Sequence, residues 1–248
     1  MRLLWTLAFC LFGSVGAVGA ATLLLVVPKR VRQALVPLLV SYATGSLLAA
    51  ALLGLLPHAM EHAAPTSVLQ TVLVGLMGFF VLERLVLWRH CHVEGACEVH
   101  GAAGPLILIG DALHNFVDGV AVAAAFLTSI PLGMATGVAV IAHELPQEIG
   151  DFAILLDSRF GPGRALLWNL ISGIAMFPGA VLGYVALERA GTALPYVLGL
   201  SAASFLYIGL ADLIPGLHRR LEAGAGVTHL LLMLSGIGTI VLLGFLHD

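Results

Sequence analysis

Two stretches near the middle of the chain carry polar side chains at helical spacing. Together they supply two imidazoles, five carboxylates and two amides, at Asp111, His114, Asn115, Asp118, His143, Glu144, Gln147, Glu148 and Asp151. Residues three and four apart share one face of a helix, so each stretch forms a polar stripe. Carboxylate, imidazole and amide ligands suit a divalent transition metal such as zinc, iron or manganese. Neither stripe contains a cysteine, which favours an exchangeable site over a closed structural one.

The composition around these stripes is that of a membrane protein. Of the 248 residues, 60% are hydrophobic and 10% are charged, and the mean hydropathy is +1.04. Soluble domains carry about 25% charged residues. The composition therefore excludes a soluble enzyme and a disordered scaffold, and it predicts that the chain is embedded in a lipid bilayer as its partner. A net charge of −3 leaves no basic footprint for nucleic acid. The three cysteines are too scattered for a disulfide framework.

The apolar stretches predict the fold class, because a membrane-spanning helix needs about 20 mostly apolar residues. We predict an all-α integral membrane protein with eight spans in a single polytopic domain over residues 1–248: Leu3–Val27, Leu35–Ala59, Ser67–Trp88, Gly104–Thr128, Pro131–Leu156, Ala165–Leu187, Leu194–Leu217 and Val227–Leu246. The apolar part of a secretory signal has only about 7–15 residues. A retained first helix is therefore favoured over a cleaved signal peptide.

The five acids in the fourth and fifth spans need a compensating interaction. An acid at the centre of a membrane helix costs roughly 2.5–3.5 kcal/mol, so five cost on the order of 12 kcal/mol, comparable with the stability of a domain. The fourth and fifth spans contain no Lys or Arg, so the carboxylates must be protonated, hydrated or neutralised by metal. A single polar residue could simply hydrogen-bond between helices, but that does not account for five acids. Pro146 frees the carbonyl of Ala142, either for a cation or as part of an ordinary kink.

The basic residues predict the orientation. With eight spans, both termini share one side with Arg2 and Arg189, and the other nine Lys and Arg residues lie on the opposite side. Cytoplasmic loops carry an excess of Lys and Arg. Both termini are therefore predicted to lie outside the cytoplasm.

The two polar stripes resemble the signatures of the ZIP (Zrt/Irt-like protein) family of divalent-metal transporters. The motifs are His114-Asn115-Phe-Val-Asp118-Gly119 and His143-Glu144-Leu-Pro146-Gln147-Glu148-Ile-Gly150-Asp151. The second is similar to the HExPHExGD signature of the LIV-1-like branch. The resemblance extends over the whole chain, with eight spans, both termini outside and a His-rich cytosolic loop after the third span.

The resemblance implies a binuclear metal site between the fourth and fifth spans. One ion would be bound by His114, His143 and Gln147. The other ion would be bound by Asn115, Glu144 and Glu148, with Asp118 near the edge that the two sites share. Gln147 stands where the LIV-1 signature has its second histidine. A family glutamate of the sixth span has no counterpart, and Asn169 is the nearest polar candidate.

The resemblance also implies an activity. Zn²⁺ would be the transported substrate, with Cd²⁺, Fe²⁺ and Mn²⁺ as further candidates, moved toward the cytoplasm by alternating access and without an organic cofactor. The implied architecture is two pseudo-symmetric outer helix triplets around a central helix pair. We expect a homodimer in the cytoplasmic (inner) membrane of a bacterium.

Accessory polar residues lie outside the two stripes. The end of the second span, with His58, Glu61 and His62, is either a metal-collecting mouth or an ordinary exposed helix end. Asp212 in the seventh span, like Asp111 and Asp151, is a candidate for the ion path, and it could instead pair with Arg219 or Arg220. The loop 89–103 is either a zinc site or a flexible loop, and its candidate ligands are His90, Cys91, His92, Cys97 and His100.

Two other functions compete with transport. An intramembrane metalloprotease needs two histidines four apart with a glutamate between them, but here Gln147 replaces the second histidine and Pro146 interrupts the motif. We therefore predict that the chain is not an enzyme. A metal sensor or chaperone without transport is the third class, and a flux measurement separates all three.

Overall fold

The computed structural model describes residues 1–88, 100–158, 160–220 and 226–245, and in these ranges the regular secondary structure is helical throughout. The α-helices are α1 (Arg2–Leu11), α2 (Ala17–Val26), α3 (Lys29–Ala49), α4 (Leu56–His62), α5 (Pro65–Trp88), α6 (His100–Thr128), α7 (Ile130–Asp157), α8 (Pro162–Gly173), α9 (Met176–Arg189), α10 (Leu194–Tyr207), α11 (Ile214–Arg220) and α12 (Gly226–Phe245). His90, Cys91, His92 and Cys97 lie outside the described residues, as does the side chain of His100.

Within the described ranges the helices form eight rods, which overlap the eight predicted spans. In chain order they are α1–α2, α3–α4, α5, α6, α7, α8–α9, α10–α11 and α12. Three rods contain a π-helical segment, at Phe12–Gly16, Ala50–Leu55 and Ile208–Leu213, which continues one α-helix into the next. Seven rods are long and apolar enough to cross a membrane, which confirms an all-α integral membrane fold. The eighth, α7, has 28 residues, or about 42 Å of helix, but its acidic residues lower its hydropathy.

Helices α6 and α7 form the centre of the bundle. They pack against each other. In addition, α6 contacts α1, α9 and α10, and α7 contacts α3. In contrast, α5 and α12 lie at the periphery. Only 17% of the residues in an apolar 18-residue stretch of each of these helices are buried. The polar stripes of α6 and α7 therefore lie inside the bundle, away from the apolar surface.

Glycines set the distance between several rods. A Cβ atom at Gly119 of α6 would overlap the carbonyl oxygen of Met176, and one at Gly179 of α9 would overlap that of Phe116. Gly45 of α3 meets the backbone of Met233 in α12 in the same way. Small residues allow membrane helices to approach this closely, and at α6 they fix the backbone that carries the first stripe.

The second and seventh rods are related by an internal repeat that the sequence analysis did not detect. An offset of 158 residues superimposes the π-helical segments Ala50–Leu55 and Ile208–Leu213 and aligns Pro57 with Pro215. The same offset relates the contact of Gly45 with Met233 to the contact of Ala203 with Gly75. This correspondence agrees with the pseudo-symmetric outer triplets that the family resemblance implied.

Candidate metal centre

The first cluster lies where α6 and α7 face each other. His114 and Asp118 are one turn apart on α6, and His143 and Glu144 are adjacent on α7. Their ligand atoms all lie within 4.8 Å of one another. His143 Nε2 lies 3.0 Å from Asp118 Oδ2 and 3.1 Å from His114 Nε2, and His114 Nε2 lies 3.6 Å from Glu144 Oε1. His114 retains 17% side-chain exposure and the other three are buried.

A backbone contact orients the ring of His143 toward this cluster. Its Nδ1 lies 2.9 Å from the carbonyl oxygen of Ala139, and because a carbonyl only accepts, Nδ1 must carry the proton. In the neutral ring, Nε2 is then an unprotonated acceptor that faces the carboxylates. Metal-binding histidines are commonly oriented in this way, so His143 has the tautomer that a metal requires.

The second cluster is formed by Asp111, Glu144 and Glu148, whose ligand oxygens also lie within 4.8 Å of one another. Glu144 therefore belongs to both clusters. Amide groups hold the other two carboxylates: Asp111 Oδ1 accepts hydrogen bonds from Asn115 Nδ2 (3.0 Å) and Gln147 Nε2 (3.1 Å). Glu148 Oε2 accepts one from Asn169 Nδ2 of α8 at 2.6 Å. All three carboxylates are buried.

Several oxygens of the second cluster have no hydrogen-bond donor among the described residues. They are Asp111 Oδ2, Asn115 Oδ1, both oxygens of Glu144, Glu148 Oε1 and Asn169 Oδ1. A buried polar group without a partner costs about 1–3 kcal/mol, and more when it is charged. Oxygen atoms that converge without donors are arranged for a cation.

The two clusters in the structure group the predicted ligands differently from the sequence-based expectation. Gln147 was expected beside His114 and His143, but its amide donates to Asp111 in the second cluster. Asp118 lies within the first cluster, 3.0 Å from His143 Nε2. The reason is the direction of the helices, because α6 and α7 are consecutive and antiparallel. The helical turn of α6 that precedes His114 therefore lies beside the turn of α7 that follows His143, which brings Asp111 next to Gln147.

Two residues expected only in accessory positions, Asp111 and Asn169, lie at the second cluster. Asp111 was expected only on the path, yet it is a member of the cluster. Asn169 does reach the cluster through Glu148.

A cavity of about 280 Å³ connects the centre with one end of the bundle. His143, Pro146 and Gln147 line its inner part. Asp151 of α7 and Asp212, from the π-helical segment of the seventh rod, add two carboxylates. Asp212 therefore lines the cavity that adjoins the metal ligands.

The opposite end of the bundle is filled by apolar side chains. Leu55, Phe126 and Leu198 come from three different rods, and each is at most 1% exposed. Beyond them, at the end of the second rod, the Nδ1 atoms of His58 and His62 contact backbone carbonyls at 2.9 and 3.0 Å. Among the described residues, His58, Glu61 and His62 do not form a group with ligand atoms within 4.8 Å.

The fold and the site together define an all-α membrane protein with a candidate metal centre buried between two central helices. Comparison with known proteins identifies its family: the model of the ZIP zinc transporter family matches residues 89–244. The chain belongs to this family, whose members are transporters and not enzymes. The metalloprotease alternative is thereby disfavoured.

Individual relatives are similar over different extents. Zinc transporter ZIP13 of Pongo abelii is 32% identical over 225 residues, which cover 85% of this chain and 67% of that protein. Zinc transporter ZIP10 of Danio rerio is 35% identical over 150 residues, covering 58% of this chain and 18% of the relative. Zinc transporter foi of Drosophila melanogaster is 38% identical over 154 residues, which cover 61% of this chain and 21% of that protein. The chain thus spans about a fifth of the length of the latter two proteins.

Proposed function

We propose that this chain moves Zn²⁺ across a membrane toward the cytoplasm through the centre between α6 and α7. The observation that carries the proposal is that two buried clusters of ligands share Glu144 and adjoin a cavity. Carboxylate and imidazole ligands without thiolate suit an ion that must leave again. The names of the relatives, all zinc transporters, favour zinc over Cd²⁺, Fe²⁺ and Mn²⁺, which are further candidate substrates.

We assign the ligands from the two clusters. The first ion would be bound by His114, Asp118, His143 and Glu144. The second ion would be bound by Asp111, Glu144 and Glu148, with the amides of Asn115, Gln147 and Asn169 holding these carboxylates or offering their oxygens.

Metal flux into proteoliposomes tests the proposed function. Vesicles that contain the purified chain and an internal zinc-sensitive dye should fill faster than protein-free vesicles, and a panel of Zn²⁺, Cd²⁺, Fe²⁺ and Mn²⁺ gives the preference. A chain that binds zinc without any flux would be a sensor or chaperone. A chain that neither binds nor transports any of the four ions would overturn the proposal.

Zinc binding should weaken in acid. Imidazole binds metal only as the neutral ring, and carboxylates bind only when ionised, so protons compete with the metal. We expect the Kd for zinc to rise more than about tenfold between pH 7.5 and pH 5, because two histidines belong to the first cluster. Isothermal titration at both pH values measures this, and an unchanged Kd would contradict the assigned ligands.

We also propose that the cavity opens to the cytoplasm and that both termini lie outside. The cavity reaches Gly216 and Leu217 of α11, close to Arg219, and the excess of basic residues at this end favours the cytoplasmic side. The conformation is then open inward, with its outer half closed by apolar side chains.

Cysteine labelling checks this orientation. With Cys91 and Cys97 changed to serine and the buried Cys10 retained, Gly216→Cys should react with an impermeant thiol reagent from the cytoplasmic side only. Gly191→Cys, at the opposite end, should react from the outside only. Both glycines have space for a Cβ atom, so the variants are matched, and exchanged reactivity would invert the topology.

Three remaining features of the protein are proposals as well. We propose a single polytopic domain over residues 1–248, a homodimer, and residence in the inner membrane of a bacterium. The apolar faces of the peripheral helices α5 and α12 are available to lipid or to a second copy. Light scattering of the protein in detergent measures the oligomeric state, and a monomeric mass would contradict the dimer.

A further inference from the structure

An apolar groove lies on the outside of the bundle between α6 and α8. Its volume is about 680 Å³. Small side chains, Ala112 of α6 and Ser172 of α8, belong to its lining, together with large ones such as Phe116 and Trp168. The groove begins beyond the close crossing of α6 and α9 at Gly119, where no space remains between the helices.

The two ends of the groove differ in charge. At one end Arg164 lines it, with the guanidinium carbon 5.6 Å from the centre of the Phe160 ring. Among the described side chains, no carboxylate pairs with this guanidinium. Helix α8 begins at Pro162, so the positive end of its dipole lies at the same edge. The other end, at Ala175, is apolar.

The length and the charge of the groove indicate which kind of molecule it can bind. From Arg164 to Ala175 the helix rises about 16 Å, which is about half the thickness of a bilayer's hydrocarbon core. The groove is open along its length and is lined mainly by apolar side chains, with Arg164 at one end. A single hydrocarbon chain can therefore lie along it with an anionic headgroup at Arg164.

We propose that the groove between α6 and α8 binds a phospholipid with an anionic headgroup, one acyl chain lying along Ala112, Phe116 and Trp168 and the phosphate at Arg164. The groove also adjoins the second cluster through the helices that form it. Ser172 lines the groove and contacts the carbonyl oxygen of Asn169 at 3.0 Å, and Asn169 donates to Glu148. A bound lipid thereby supports the position of α8 beside the metal ligands.

Native mass spectrometry tests the proposal directly. The full chain is reconstituted in equal amounts of phosphatidylglycerol and phosphatidylcholine with identical acyl chains, extracted in detergent, and its retained lipids are counted. We expect one phosphatidylglycerol per chain, retained about fivefold over phosphatidylcholine, the effect of one basic residue near an anionic group. Arg164→Gln should bring this ratio close to one. Equal retention of both lipids by the unaltered chain would overturn the anionic headgroup.

A pair of matched variants tests the location. Ala112→Phe fills the groove and should remove the retained lipid, whereas Leu167→Phe, on an exposed lipid-facing position of α8 outside the groove, should not. Equal loss from both variants, or from neither, would overturn the assignment to the groove.

Fluorescence gives a second measurement that does not depend on altering the groove. With Trp5 and Trp88 changed to phenylalanine, Trp168 is the remaining tryptophan, and phosphatidylglycerol with brominated acyl chains should quench it more than brominated phosphatidylcholine does. Equal quenching would contradict the proposal. Neither measurement involves metal, so their outcome is independent of zinc transport.

Discussion

Zinc uptake by a Glu144→Gln variant should fall more than about 100-fold below that of the unaltered chain. Glu144 is the one residue common to both groups of ligand atoms, and neither of its oxygens has a hydrogen-bond donor among the described residues. Residues that only support a metal ligand cost about 10–100-fold when changed, so a ligand of both ions should cost more. Initial uptake rates in proteoliposomes, at equal amounts of protein, measure the effect.

Variants of each cluster distinguish a shared ligand from a merely structural acid. His143→Ala should remove the first ion and retain the second, whereas Asn169→Ala should weaken the second ion about 10–100-fold and retain the first. Glu188→Gln, on an exposed helix end, is the control for loss of a carboxylate and should leave uptake unchanged. Zinc bound per chain, counted by elemental analysis, should be lowest for Glu144→Gln. Near-normal uptake by that variant would refute the shared site.

Gly119→Ala should destabilise the folded chain by about 3 kcal/mol, the upper end of the usual effect of overpacking. The added methyl group would overlap the backbone of Met176, and a helix backbone cannot move aside as a side chain does. For a chain of this size, about 3 kcal/mol lowers Tm by roughly 6–12 °C. Thermal unfolding in detergent, followed by size-exclusion chromatography of the remaining folded protein, measures the shift.

The control for this variant lies on the same helix. Gly110 has no atom within 4 Å of its added Cβ, and alanine is preferred over glycine inside a helix by roughly 0.5–1 kcal/mol. Gly110→Ala should therefore leave Tm unchanged or raise it slightly. If both variants lowered Tm equally, the close crossing of α6 and α9 would not explain the loss.

Much of the fold was predictable because the bilayer imposes it. The length and hydropathy of the apolar stretches were sufficient for the eight rods. These include α7, which was predicted as Pro131–Leu156 although its polar residues lower its hydropathy. The extent of some rods was underestimated: the second was predicted as Leu35–Ala59 but runs from Lys29 to His62. The polar residues at its two ends carry no apolar signal, yet they remain helical.

The candidate site was predictable in composition but not in arrangement. The spacing of His114 with Asp118 and of His143 with Glu144 showed which residues share a face, since that is a property of one helix. How two helices are aligned depends on how they pack against each other and against their neighbours, which the spacing within one helix does not show. The position of Gln147 beside Asp111 was therefore not available from periodicity alone.

The sharing of Glu144 also determines the electrostatic balance of the centre. The two clusters contain four different carboxylates, Asp111, Asp118, Glu144 and Glu148, with a total charge of −4 when all are ionised. Two zinc ions would bring +4 and make the loaded centre electroneutral, whereas a single ion would leave −2 in a region that disfavours isolated charge. Without metal, protons or water would have to compensate the carboxylates, and any protons held there would be released when zinc binds.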